Sequence, residues 1–276
     1  MAIADRQKPP PGELYLDHVS HFVPDLDAAA GFLEKLGFTL TALSAQTVEG
    51  RPAGASNRCI MLEEGYVELL TPTHDTPIAQ RMRARMAQFV GVHLACFGTP
   101  DAEGEHARLA AHGFEPQPVV NLQRQVEGRS VRFKVVRPDP GAMPEGRVQY
   151  VEHLSPEAIW TARSLAHANG VTGLQALFVV ADDAVETAAR WARFTGLLPR
   201  PQGDAVVLEA ARGRILVGSH WLPSLAVRPA LAGYALACRH PRAFVARCSE
   251  LGLAVHKAAA GHAISLPPSL GGVWLV

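Results

Sequence analysis

One pattern occurs four times along the chain: an apolar run, a turn marked by Asp or Pro, an amphipathic helical stretch, a Gly-containing stop, and then further strand-like runs. Self-similarity of this kind restricts the fold to repeated supersecondary units, each too small to bury its apolar face alone. The first copy opens at Leu14–Val23, turns at Pro24-Asp25, and places Ala29, Phe32, Leu33 and Leu36 on one helical face before Gly37. Two apolar runs, 58–62 and 66–70, then flank Glu63-Glu64-Gly65 and read as a hairpin. The second copy opens at Gly91–Phe97, has its helix between Pro100-Asp101 and Gly113, and ends in the runs 131–137 and 148–154. Its last run, Tyr150-Val151-Glu152-His153-Leu154-Ser155-Pro156, echoes Tyr66-Val67-Glu68-Leu69-Leu70-Thr71-Pro72 in register. The third copy starts at Gly173 and the fourth at Tyr234.

The expected fold is therefore α+β, with tandem βαβββ modules paired into two cup-shaped mixed-sheet domains. The first pair spans 13–156 and the second 172–276, with a helical linker over 157–171. The chain has 276 residues, 48% hydrophobic and 19% charged, enough apolar content for a core in each pair. Its formal net charge is zero, which gives no footprint for nucleic acid or an anionic membrane. Four cysteines without a CxxC pair argue against a disulfide framework; no run of about 18 apolar residues appears and 1–12 lack an apolar signal core, so neither a spanning helix nor a secretory signal is expected. The expectation is a cytoplasmic protein, monomer or homodimer, whose partner is a small molecule.

Leu16-Asp17-His18-Val19 with Pro24-Asp25-Leu26, then Gly65-Tyr66-Val67-Glu68-Leu69 and Gly91-Val92-His93-Leu94, resemble the strands of the vicinal-oxygen-chelate superfamily, which includes glyoxalases, bleomycin-resistance proteins and ring-cleaving dioxygenases. The resemblance implies a cup of curved sheet with a metal held by the first and last strand of each module. Carried over by position, the metal ligands are His18, Glu68, His93 and Glu152. Because side chains alternate along a strand, one inward residue per strand can reach a shared cup. Two imidazoles and two carboxylates suit one divalent metal, Ni, Zn, Co, Mn or Fe, which would polarise two neighbouring substrate oxygens. Glu152 is the expected general base, with Glu68 the other catalytic carboxylate. Asn57, Arg58, Phe133 and Arg137 are the expected substrate-binding residues. His21 and His153 are expected to face away from the cup and be structural.

The second pair departs from this pattern. Gln175 or Ala176 stands at the first ligand position, Leu216 matches Glu68, Ala235 matches His93, and Val276 falls where the last carboxylate would be. The resemblance thus implies a metal-dependent enzyme on a small oxygen-rich substrate, of the glyoxalase lyase or isomerase kind. Its rivals are an Fe(II) ring-cleaving dioxygenase and a non-catalytic, drug-sequestering cup.

Overall fold

The computed structural model describes residues 3–48, 51–126, 128–222 and 224–276. Each module begins with a strand that runs into a helix, and in three of the four an aspartate fixes the turn between them. Asp25 Oδ1 accepts from Ala28 N at 2.9 Å to start α1 (Leu26–Lys35), after β1 (Tyr15–Phe22). Asp101 Oδ1 accepts from Gly104 N at 3.0 Å to start α3 (Ala102–Ala111), after β5 (Gly91–Gly98). Asp183 accepts from Val185 N and Glu186 N to start α4 (Ala184–Thr195), after β9 (Val171–Val180). These caps satisfy helix-end N–H groups that have no intrahelical partner. The fourth module, β13 (Ala230–Cys238) and α5 (Pro241–Glu250), uses Pro241 at the first helical position instead.

The first module adds β2 (Ser44–Val48), β3 (Arg51–Met61) and β4 (Tyr66–Pro72), and the second adds β6 (Val120–Val126), β7 (Arg129–Val136) and β8 (Arg147–His153). Together they form one eight-stranded sheet in the order β2-β3-β4-β1-β5-β8-β7-β6, with the antiparallel pair β1/β5 at its centre. The third and fourth modules contribute β10 (Pro199–Gln202), β11 (Ala205–Glu209), β12 (Arg214–Gly218), β14 (Ala254–Ala258), β15 (Gly261–Ser265) and β16 (Val273–Leu275) to a second sheet of the same order. The α+β fold of four paired βαβββ modules is thus observed. Edge strands β2 and β6 approach each other, so the first sheet curls almost into a barrel.

A continuous core lies between the convex faces of the two sheets. It takes Leu16, Val19, Leu69, Ala95 and Phe97 from the first and Leu177, Val179, Ile215, Tyr234 and Trp274 from the second, with the apolar faces of α1, α3, α4 and α5. Polar contacts fix the docking. Arg108 of α3 donates to the Arg193 carbonyl at 3.1 Å and to that of Phe194, satisfying carbonyls in the last turn of α4. Glu145, fully buried, accepts from Arg190 Nη2 at 2.6 Å and Trp191 Nε1 at 3.2 Å, both on α4.

Two differences from the sequence expectation stand out. The segment 157–171 is not an α-helix but a 3-10 turn, Pro156–Ala158, followed by turns. There Ser164 and Thr161 bond to each other and to local backbone, which competes with helical bonding. The unexpected element is α2 (Pro77–Gln88), which joins β4 to β5 and lays Met82 over the concave face of the first sheet. Thr76 caps it and Pro77 opens it, a start signal present in the sequence.

Candidate functional site

The concave face of the first sheet is set by cross-strand register. His18 pairs with Tyr66 and Cys96, Ser20 with Glu68 and Leu94, and Cys96 with Gln149. These residues share one face, together with Arg147, Val151 and His153 of β8 and Phe133 and Val135 of β7. They enclose a cavity of about 50 Å³ lined by His18, Tyr66, Glu68, Gln149, His153 and neighbouring apolar side chains.

Asp17 is the organising group. It is the extra residue where β1 slips against β5, so Leu16 pairs with Phe97 and His18 already with Cys96. The bulge turns its carboxylate inward, fully buried, to accept from His18 Nδ1 at 2.6 Å and His153 Nε2 at 2.9 Å. Burial alone would raise its pKa, but His153 and His18 outweigh that and hold the carboxyl well below its usual range. An ionised carboxylate only accepts, so the protons sit on His18 Nδ1 and His153 Nε2. In the neutral ring, His18 Nε2 then carries the lone pair, 3.5 Å from the Tyr66 hydroxyl, with the two rings stacked at 4.2 Å. Gly65 permits the close approach of β4, because a Cβ there would lie 2.5 Å from the Asp17 carbonyl oxygen and its φ is +78°.

Glu68 is buried on the same face. Its Oε2 accepts from Ser20 Oγ at 2.5 Å and its Oε1 from Asn57 Nδ2 at 2.5 Å. At the other wall, Arg137 Nε and Arg147 Nε both donate to Gln149 Oε1, at 3.2 and 3.0 Å. Of the expected substrate residues, Asn57, Phe133 and Arg137 are therefore at the cup. Arg58 is not: it pairs with Leu69 on the convex side and bonds to the Thr41 carbonyl and Glu34.

Two of the four expected metal ligands lie outside the cup. His93 donates from Nε2 to the Phe89 carbonyl at 2.8 Å and packs between Phe22 and Phe89, while its buried Nδ1 has no partner among the described residues. Burial holds its pKa down to about 4. Glu152 faces outward, opposite Lys134, where it accepts from Ala102 N at 3.0 Å at the start of α3 and lies 3.8 Å from Lys134 Nζ. The cause is a one-residue offset. The helix-capping aspartate comes seven residues after His18 but eight after His93, and His93 is the extra residue of a bulge between Ser20 and His21. The echo of Tyr66-Val67-Glu68 in Tyr150-Val151-Glu152 is likewise shifted by one face: Tyr66 points into the cup and Tyr150 into the core between the sheets. His153, expected to face away, is consequently inside. His21 does face away, bonding to Tyr234 Oη at 3.0 Å and the Leu270 carbonyl at 2.9 Å in the second half.

The donors that do converge do not match the expected four-ligand centre. Ligand atoms of Asp17, His18 and Cys96 lie within 4.8 Å of one another. Both Asp17 oxygens are already engaged by imidazoles, and burial pushes the Cys96 thiol well above its usual pKa, which disfavours the thiolate a metal needs. His18 and Glu68 alone remain of the expected set.

The second sheet repeats the geometry without the chemistry. Ala176 takes the register of His18, Gln175 that of Asp17, and Leu216 that of Glu68. Ala235 aligns with Cys96 rather than with His93, whose counterpart is Ala232. The concave face is apolar and is packed by Trp221, stacked on Phe178 with centroids 4.3 Å apart, and by Phe89 from the end of α2.

The sequence reasoning missed Asp17, Ser20, Gln149 and Arg147. The run Asp17-His18 was visible, but nothing local to it signals a bulge that turns both side chains to one site.

Comparison with known proteins bears on the fold. A search of curated protein sequences finds no match. Among solved structures, a hypothetical protein from Staphylococcus aureus aligns with a TM-score of 0.66 at 14% identity, covering 95% of this chain and 97% of that one. A mutant of 4-hydroxymandelate synthase from Streptomyces coelicolor aligns with a TM-score of 0.61 at 14% identity, covering 95% and 91%. A xylose isomerase-like TIM barrel/4-hydroxyphenylpyruvate dioxygenase fusion protein aligns with a TM-score of 0.58 at 11% identity, covering 96% of this chain, which spans about half of that one, 48%. At such identities the likeness shows the fold alone. The model of the glyoxalase-like domain matches residues 16–195, most of the chain. With its paired βαβββ modules, the protein belongs to the glyoxalase-like domain family of the vicinal-oxygen-chelate superfamily.

Proposed function

We propose that the protein is an enzyme that binds a small oxygen-rich substrate in the cup of the first sheet and moves a proton there with His18. The observation that carries this is the buried Asp17–His18 pair: His18 lines the cavity, and its second imidazole nitrogen lies 3.5 Å from the Tyr66 hydroxyl. A carboxylate bonded to one ring nitrogen fixes the tautomer and stabilises the imidazolium that forms when the other nitrogen takes a proton. Proton abstraction beside a carbonyl, the first step of glyoxalase-like isomerisation, needs such a base. The balance is simple: His18 Nε2 takes the carbon-bound proton, the carbonyl oxygen takes the electron pair as an enolate, and the proton returns to carbon or oxygen. Glu68, held by Ser20 and Asn57, is an acceptor for a substrate hydroxyl.

No step is assigned to a metal, because two of the four expected donors are engaged away from His18 and Glu68, His93 at the Phe89 carbonyl and Glu152 at the start of α3. The Fe(II) dioxygenase alternative draws no support from the residues of either cup. A second reading, a cup that binds without reacting, is favoured by the same division of ligands.

The test is solvent exchange. Small aldehydes, 2-oxo acids and 2-hydroxy acids are incubated with the protein in D2O and followed by proton NMR. Loss of one compound's α-proton signal with wild type, and not with His18→Gln, is expected. Binding without exchange would favour the second reading, and exchange that persists in His18→Gln would remove His18 from the chemistry. The reading also proposes a cytoplasmic, reducing setting, supported by four free cysteines, three of them buried. A monomer or homodimer suffices, since one chain supplies every wall of the cup described here.

A further inference from the structure

Several buried charges among the described residues are matched directly. Arg190 meets Glu145 at 2.6 Å, and Asp17 meets two imidazoles. One wall of the first cup is different. Arg137 and Arg147 come together on a single neutral acceptor, Gln149 Oε1, through their Nε atoms. Both also line a second cavity, of about 130 Å³, under α2, into which Arg81 and Arg85 project. Among the described residues, none of these four guanidiniums has a carboxylate within 4.0 Å. The acidic groups around them are bonded to other partners: Glu145, which attracts Arg85, accepts from Arg190 and Trp191. Glu68, which attracts Arg147, accepts from Ser20 and Asn57, and exposed Asp139 at the rim accepts from Gly141 N at 2.8 Å.

Four like charges gathered on a partly buried wall are unfavourable without a counter-charge. Burial, and then Arg147, lowers the pKa of Arg137 to about 9, the direction expected of a guanidinium lacking its anion. Each planar guanidinium keeps donors beyond the Nε bond to Gln149, suited to two-point contact with an oxyanion.

We infer that Arg137 and Arg147 form an oxyanion subsite in the wall shared by the cup and the cavity under α2, taking the carboxylate or phosphate group of the substrate. This deepens the proposed function, since it rests on the first cup being the substrate site, and it makes that substrate a small organic anion. Arg81 and Arg85 supply long-range attraction from the rim.

The test is calorimetric titration of the whole chain with pyruvate, malonate and inorganic phosphate at matched ionic strength. Saturable binding of at least one anion is expected, weakened about tenfold or more (~1.4 kcal/mol) in Arg137→Gln and in Arg147→Gln. Arg83→Gln, whose side chain lies outside the cavity beside Asp75, is expected to bind as wild type does. Carboxylate binding without phosphate binding identifies a carboxylic acid, and the reverse a phosphorylated substrate. No binding of any of the three by folded wild type, or binding unchanged in both glutamine variants, overturns the inference. Where the glutamine variants do not fold, phenylglyoxal modification of wild type decides. Peptide mapping is expected to show Arg137 and Arg147 protected by the bound anion, and equal modification with and without anion overturns the subsite. The two proposals fail separately. Proton exchange of a neutral compound without anion binding keeps the role of His18 and removes the subsite, whereas anion binding without exchange does the opposite.

Discussion

The two cups are built on one strand order and differ in nearly every residue of their concave faces. The first holds His18, Glu68, Gln149, His153 and two arginines around open space. The second is lined by Ala176, Phe178, Ala232 and Ala235 and is filled by Trp221. Their convex faces, by contrast, share one apolar core. The difference teaches that this fold is held by its convex faces and helix caps, which leaves each concave face free to be either a site or a plug.

The comparison breaks most sharply at Asp17. Asp17→Ala strips a buried carboxylate from two imidazoles, and the expected loss is about 3–5 kcal/mol in urea unfolding. Ala176→Asp, its neighbour position in the plugged cup, puts a carboxylate among apolar groups and is expected to cost a similar amount for the opposite reason, an unpaired buried charge. The sign of the pH dependence follows. Asp17 has a depressed folded pKa, so its contribution is fully present above the ordinary carboxylate value near ~3.9 and is lost as pH falls toward its folded value.

Acid acts earlier at the seam between the halves. Burial lowers the pKa of His21 from 6.5 to about 4. The unfolded chain therefore binds a proton in this window that the folded chain does not, and stability falls as pH drops from 6.5 toward 4. At ~1.4 kcal/mol per pKa unit the effect is on the order of 3 kcal/mol. Denaturant melts across that range measure it together with the like contribution of buried His93. A His21→Gln variant is expected to show a shallower decline, and an unchanged decline would place the titration elsewhere.

Trp221→Ala unplugs the second cup. The side chain is half-buried, so the expected loss is about 2 kcal/mol, below the range for a fully buried aromatic. Fluorescence of an apolar dye is expected to report a new cavity while anion binding in the first cup is unchanged. Coupled loss of both would show that the cups are not independent. The smallest effect belongs to Glu152→Gln, which weakens a contact at the start of α3 and is expected to cost under about 1 kcal/mol, with no change in proton exchange.

The module plan was legible because it rests on period and punctuation: apolar runs and Gly stops recur four times, and an Asp cap three times, with Pro241 opening the fourth helix. The site was legible only in its first module. His18 and Glu68 could be placed because β1 and β4 follow the expected alternation. His93 and Glu152 could not, because alternation has no tolerance for an inserted residue: the bulge at His93 leaves its ring between Phe22 and Phe89, and the shifted register of β8 puts Glu152 on the outer face. The same sensitivity hid His153, adjacent to the residue chosen. Arg147 escaped because it opens its strand after a loop, and α2, with Arg81 and Arg85, because the repeat pattern drew attention away from a helix that lies between repeats.

Strand β1 carries His18 on one face and, three residues on, His21 on the other, bonded to Tyr234 and Leu270 of the second half. The strand that carries His18 toward its cavity is therefore anchored to the second half as well. The half that carries none of the proposed chemistry thereby holds the strand from which that chemistry projects.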